Sequence, residues 1–417
     1  MEVKTALLVA YGGGHVPMIA PVMRELEARG IACTAMALTT GYRKACQLGL
    51  KPLGYRDFAH LVPERERVLA WGRALLGGNS HPDVDEEESL WYLGVNYAQW
   101  VRELGEAGAA KRYAERGRTG FHPLEFMTAV VRQLAPDIVV VTNSPRTEAA
   151  ATEAAVCLGI PSLSMTDLFV DATDPYCYRP VHADRITVLS PSVKQAMVEA
   201  GMAAQRLVVT GNPAFDTLRA PEVIRQARVL RESLGWMQQR VILFAGHREE
   251  LPRTPPAWQN QGFGTEVQEW LHRWVQSHAD DALVTRYHPS EWHLYPMLPP
   301  GPRLHCSAPS VEPLHPLLLA SDIVVVQTST VGLEAALAGK RTICLKFAPS
   351  VREASYNYAD LGLAEGVDSW AELDAALACP RSAPLVDPAD FYVGSSAERV
   401  AKLVMELGRR GPGASAE

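Results

Sequence analysis

No apolar run among the 417 residues approaches the ~20 needed to cross a bilayer. Positive charge is also scarce. Forty lysines and arginines stand against 47 aspartates and glutamates, a net charge of −7, so no basic face for nucleic acid is expected. The seven cysteines (Cys33, Cys46, Cys157, Cys177, Cys306, Cys344, Cys379) include no CxxC pair, which argues for reduced thiols over a zinc site or disulfide framework. There is no GxxxxGK(S/T) phosphate loop, no GxSxG nucleophile elbow and no HExxH helix. The opening MEVKTALLVAYGGGH is too short in its apolar part for a signal peptide and runs straight into glycines. These absences leave a cytoplasmic chain that is expected to need neither metal nor cofactor.

What is present is an ordinary globular composition, 47% hydrophobic and 21% charged. Apolar runs alternate with helical patterns. TALLVAY (5–11), IACTAMALT (31–39), DIVVVTN (137–143), IPSLSMTD (160–167), ADRITVLS (183–190) and RLVVTGN (206–212) read as one series of strands. RVILFAGH (240–247), ALVTRYH (282–288), DIVVVQTS (322–329) and RTICLK (341–346) read as a second. The fold class is α/β, with two Rossmann-like doubly wound domains facing a cleft. Residues 1–216 form the first, with a Trp/Tyr-rich helical insertion at 62–125 open to an acceptor pocket, a lid, a plain helical subdomain or a dimer contact. Residues 217–417 form the second, and its last helix is a candidate to cross back. The acidic run Asp83–Glu88 reads as a solvated loop.

The candidate functional residues sit at strand ends. Gly13 and Gly14 let backbone amides approach a ligand, and His15 can take a proton from an acceptor hydroxyl near neutral pH, or merely cap the helix. Gly211-Asn212-Pro213 is a sharp turn at the domain crossing, with ligand contact as a secondary role. His247 and Arg248 are suited to a diphosphate. His288 ends the next strand. Thr328, Ser329 and Thr330 open a helix and suit phosphate or plain capping. Glu334, one turn in, suits ribose hydroxyls.

These residues resemble a known superfamily. The layout looks like the two-domain GT-B glycosyltransferase fold, nearest its UDP-N-acetylglucosamine 2-epimerase branch. PDIVVVTNSPRTEAAATEAAVCLGIPSLSMTD, HREE at 247–250 and LLLASDIVVVQTSTVGLEAALAGK carry the likeness. By that resemblance His247 and Arg248 lie at the diphosphate, Ser329 and Thr330 hold phosphate, and Glu334 binds ribose. The opening GGGHVPMIAP departs from the epimerase turn and resembles the Gly-His-x-x-Pro start of glycosyltransferases. Asn143 stands where an epimerase carries an aspartate, and Asp167 is the nearest replacement for its next acid. The His288-Pro289 pair with the later Thr-Ser-Thr also looks like the CMP-binding motifs of bacterial sialyl- and Kdo-transferases.

The expected function is a metal-independent glycosyltransferase moving a sugar from a UDP- or CMP-linked donor to an acceptor hydroxyl, with His15 and Asp167 as the catalytic pair. The acceptor is a glycan, lipid or small molecule, and a homodimer fits the insertion. The alternatives are a 2-epimerase-like isomerase and a non-catalytic nucleotide-sugar binder.

Overall fold

The apolar run at the start of the chain becomes β1 (Thr5–Tyr11), buried along its centre. The structure, a computed structural model, describes residues 2–77, 84–247, 249, 262–289, 291–295, 301–354, 356–379 and 394–410. The chain divides into two units, Met1–Ala214 with Gly394–Glu417, and Phe215–Val393.

In the first unit β1 leads to α1 (Val16–Glu27), whose Ile19, Val22, Met23 and Leu26 bury the stripe set by their helical spacing. There follow β2 (Ala32–Leu38), α2 (Thr40–Gln47), α3 (Arg65–Leu76), α4 (Glu86–Arg116) and α5 (Leu124–Leu134). The unit continues through β3 (Ile138–Thr142), α6 (Thr147–Cys157), β4 (Ser162–Met165), β5 (Arg185–Val188), α7 (Pro191–Glu199) and β6 (Leu207–Val209). The six strands are all parallel, in the order β2-β1-β3-β4-β5-β6. Alternation along β1 sends Leu7 and Val9 to one face and Leu8 and Ala10 to the other.

The insertion supplies the layer on the Leu7/Val9 face. Its Trp91, Tyr92, Trp100 and Phe121 share one core cluster there with Phe126 of α5 and with Met36, Val139 and Val141. Its aromatic richness is therefore core, with Trp91 only 6% exposed and Trp100 3%. α3 and α4 cross so closely that a Cβ on Gly72 would lie 2.3 Å from the Leu90 carbonyl oxygen, and one on Gly94 would lie 2.2 Å from that of Val68. The acidic run is not wholly solvated. Asp85 caps α4 by accepting from the Glu88 amide, and Glu88 itself is buried. Burial holds the Glu88 carboxyl above its ordinary value, and the amides of Tyr55 (2.6 Å) and Arg56 (3.1 Å), from which it accepts, offset only part of that desolvation.

The second unit runs through α8 (Pro221–Ser233), β7 (Arg240–Gly246), α9 (Gly262–Ser277), β8 (Asp281–Tyr287), β9 (Leu304–Ser307), α10 (Leu314–Ala320) and β10 (Ile323–Val326). It ends with α11 (Val331–Leu337), β11 (Arg341–Leu345), α12 (Pro349–Glu353), β12 (Glu365–Val367) and α13 (Trp370–Ala378). Its parallel strands lie in the order β12-β11-β10-β7-β8-β9. Counted within the unit this is 3-2-1-4-5-6, the order of dinucleotide-binding folds. α14 (Ser396–Arg410) belongs to the first unit, where Val400, Ala401 and Val404 join the core around α1. No helix of the described residues is long and apolar enough to cross a membrane.

Strand order reverses between β1 and β3 in the first sheet and between β7 and β10 in the second. In doubly wound sheets the crevice for a ligand opens at the carboxyl ends of the strands at that reversal. The candidate residues sort by these two places.

Candidate functional site

In the first unit the turn after β1 needs a left-handed residue, and Gly12 supplies it at φ +81° while its amide donates to the Leu38 carbonyl (3.1 Å). The Gly13 amide is already taken by Thr40 Oγ1 (3.0 Å), whereas Gly14 is exposed with open space where a Cβ would be. His15 occupies the N-cap position of α1 but makes no capping bond with its side chain, so its ring is free for other work.

That ring enters a chain of polar contacts. The Thr142 hydroxyl donates to Glu148 Oε1 (3.0 Å). A hydroxyl has one proton to give, so its 2.9 Å contact with His15 Nδ1 must be a bond that the imidazole donates. The tautomer is thereby fixed, and Nε2 becomes the titrating nitrogen. Nε2 faces Asp167, 3.5 Å from Oδ2. Asp167 is held by Asn143, whose Nδ2 donates to Oδ1 (2.9 Å).

Burial alone would lower the His15 pKa. The hydrogen bonds and charges of Asp167 and Glu148 outweigh it and raise the group from 6.5 to about 9. His15 is therefore an imidazolium at neutral pH, and the expectation of a base working near neutrality is corrected upward. Burial pushes the Asp167 carboxyl up, but His15 and Asn143 pull harder and leave it below its ordinary value.

Glu148 escaped the sequence reading. Its side chain is fully buried, and Oε1 also accepts from the Tyr11 amide at 2.5 Å. The available signal was its position: Ala151 and Ala155, three and seven residues on, are buried too, so an acid falls on the apolar stripe of α6. Asn212 is spent inside this unit. Its Nδ2 donates to the Asp167 carbonyl (2.7 Å), its Oδ1 accepts from Ala214 N (2.9 Å), and it is 4% exposed. The structural role expected first of this turn is what Asn212 performs, fixing the backbone of Asp167.

In the second unit His247 follows β7 and Thr328 follows β10, and the two meet, with Thr328 Oγ1 3.1 Å from His247 Nε2. Gln327 ties the same ends together by accepting from the His247 amide at 3.2 Å. Glu249 binds Gln327 and also accepts from Ser350 N (2.5 Å) and Ser350 Oγ (3.0 Å). Gly246, the last residue of β7, is closely packed. A Cβ there would lie 2.7 Å from the Tyr287 ring and 2.8 Å from that of Phe244, so it is a packing glycine. Arg248 lies outside the described residues. His288 is exposed at the end of β8, and its amide donates to the Gly246 carbonyl (3.0 Å).

Ser329 Oγ receives the Val331 amide at 3.4 Å, a loose cap, and Thr330 is exposed without a side-chain capping bond. Glu334 is 9% exposed and bonded through Oε2 to His315 Nε2 at 2.6 Å. The other ring nitrogen of His315 is bonded to Thr217 Oγ1. His315, Thr217 and Gln327 are the site neighbours that the strand-end motifs did not single out, and Glu249 belongs to the HREE run without having been given a role.

The chain matches no protein-family model and no curated protein sequence. Among solved structures it is similar to the UDP-GlcNAc 2-epimerase of Neisseria meningitidis bound to UDP-GlcNAc, at a TM-score of 0.61 and 14% identity over 96% of this chain and 100% of that one. The Methanocaldococcus jannaschii UDP-GlcNAc 2-epimerase in complex with UDP-GlcNAc and UDP gives 0.59 and 14%, over 96% and 99%. The wall teichoic acid polymerase TagF gives 0.56 and 13%, over 98% and 90%. At these identities the likeness shows the fold: two Rossmann-like units of the GT-B and 2-epimerase kind.

Proposed function

We propose that the chain is a nucleotide-sugar-dependent glycosyltransferase. One observation carries this: His15 has its Nδ1 proton fixed by Thr142 and Glu148 and presents Nε2 beside Asp167. A deprotonated Nε2 takes the proton of an acceptor hydroxyl as its oxygen bonds the anomeric carbon and the bond to the diphosphate breaks. Asp167 keeps the resulting imidazolium favourable. His247, with Arg248 by sequence, faces the departing diphosphate. Glu334 accepts from the ribose, and Thr328, Ser329, Thr330 and His288 complete the donor site. The similar structures that hold UDP or UDP-GlcNAc support a uridine nucleotide as the first donor to try.

A specific observation favours a second reading, a 2-epimerase. Glu148 restores a buried carboxylate to a set that looked incomplete by sequence, and removing and replacing a proton at a sugar carbon needs such groups. Incubation with UDP- and CMP-sugars, with and without candidate acceptors, followed by NMR of the sugar, separates the two. Donor consumption that requires an acceptor supports the transferase. Inversion at C2 without any acceptor replaces it with the epimerase.

A further inference from the structure

Arg146 is a cation without a counterion among the described residues. It follows β3 at the strand reversal of the first sheet, and its guanidinium lies 3.8 Å over the Tyr11 ring. No carboxylate oxygen lies within 4.0 Å of it among the described residues, and its Nε is buried with no hydrogen-bond partner. Two residues back, the Ser144 hydroxyl is orphaned as well, on a side chain 5% exposed. A second arginine, Arg179, donates to the carbonyl of Asn143 on the same loop (2.5 Å) and has burial lowering its pKa. Buried donors left unmatched are costly, and the unmatched acceptors of the same segment, Asn143 Oδ1 and Glu148 Oε2, make no hydrogen bond to either, so these two donors lack an acceptor within reach.

We propose that Arg146 and Ser144, backed by Arg179, form a recognition site for a carboxylate or phosphate group on the second substrate. The missing partner must accept hydrogen bonds and carry negative charge, and an arginine held flat on a tyrosine offers its fork to such a group. Glu148 does not fill the role, because its Oε1 is committed to Thr142 and the Tyr11 amide, its unmatched Oε2 bonds to neither Ser144 nor Arg146, and it forms no ion pair with Arg146. Tyr11 immediately precedes the turn bearing His15, so an anion here lies in the loops around the proton-transfer group. That this anion belongs to an acceptor rests on the transferase reading; the site itself does not.

The test titrates the full chain with inorganic phosphate by calorimetry. Saturable binding, weakened at least tenfold in Arg146→Gln and in Ser144→Ala but kept within twofold in Lys111→Gln, an exposed charge on α4, is the expected result. Retained binding in Arg146→Gln, or no saturable binding in wild type, overturns the site. Circular dichroism melts of each variant confirm that it is folded. UDP is then added as a competitor. If it displaces phosphate in a manner that depends on Arg146 and not on Glu334, the anion is the donor's diphosphate and the acceptor assignment falls. Turnover with matched acceptors is the last arm. A preference for the anionic acceptor that Arg146→Gln abolishes is expected, and equal use of both by wild type overturns it. Failure of every acceptor refutes the transferase, and with it the acceptor assignment, while the phosphate titration still decides the site.

Discussion

His15 Nε2 stands 3.5 Å from Asp167 Oδ2, and this pair sets the pH behaviour of the first unit. With His15 at about 9, turnover in the transferase reading rises with pH and levels off above 9, because the deprotonated ring is the working form. A rate that falls over the same range assigns His15 as an acid instead. Asp167→Asn removes a charge that favours the imidazolium, so the inflection moves toward 6.5. NMR titration of the labelled ring follows it directly.

The same shift affects stability. A histidine that holds its proton more tightly folded than unfolded contributes stability fully present below pH 6.5 and lost as pH rises through about 9. The melting temperature of His15→Gln should therefore fall furthest below wild type near pH 6 and converge on it above pH 9. A gap that stays constant across that range rejects the coupling to the two carboxylates.

Glu148→Gln keeps volume and an acceptor for the Tyr11 amide but loses the charge that anchors Thr142. The His15 tautomer is no longer enforced, and turnover should drop by about 10²-fold, the low end of what a positioned acid or base contributes. The expected signature is a fall in kcat with KM little changed, together with a lower His15 pKa. Wild-type rates in this variant remove Glu148 from the site.

How far all this could be read in advance follows the physics of each signal. Parallel strands covered on both faces become near-continuous apolar runs, which is why DIVVV at 137–141 and DIVVV at 322–326 stand out unaided. Glu148 did not stand out, because an acid in the first turn of a helix is favoured there by the helix dipole alone. The amide it accepts from is that of Tyr11, 137 residues away in sequence. Likewise the tryptophans of α4 have the composition of a sugar-stacking surface, and only their packing in a shared core cluster, Trp100 against Phe121 within it, makes them core. His315 sits in a short apolar helix whose partners, Thr217 and Glu334, come from separate parts of the chain.

Gly94 tests the role of the insertion as core. Its absent Cβ would sit 2.2 Å from a backbone oxygen of α3, which cannot rotate away, so Gly94→Ala must push the helices apart. Overpacking of this kind costs about 1–3 kcal/mol, read as a lower midpoint in urea with m unchanged. The His15 titration, tens of residues distant in sequence, should remain at about 9 if α3 and α4 serve packing alone.

Glu334 and His315 make the matching case in the second unit. The 2.6 Å bond occupies Oε2 and leaves Oε1 to accept from a ligand, so His315 acts as a positioning residue for that carboxylate. If the carboxylate accepts from ribose, Glu334→Ala weakens UDP binding by about tenfold, the value of one hydrogen bond to a charged group. Loss of affinity on using 2′,3′-dideoxy-UDP should be as large in wild type and absent in Glu334→Ala. His315→Ala should reduce that ribose discrimination part-way, and His315→Gln, which keeps a donor, should restore it. Equal binding of UDP by wild type and Glu334→Ala removes the ribose role, and an unchanged discrimination in His315→Ala confines His315 to packing.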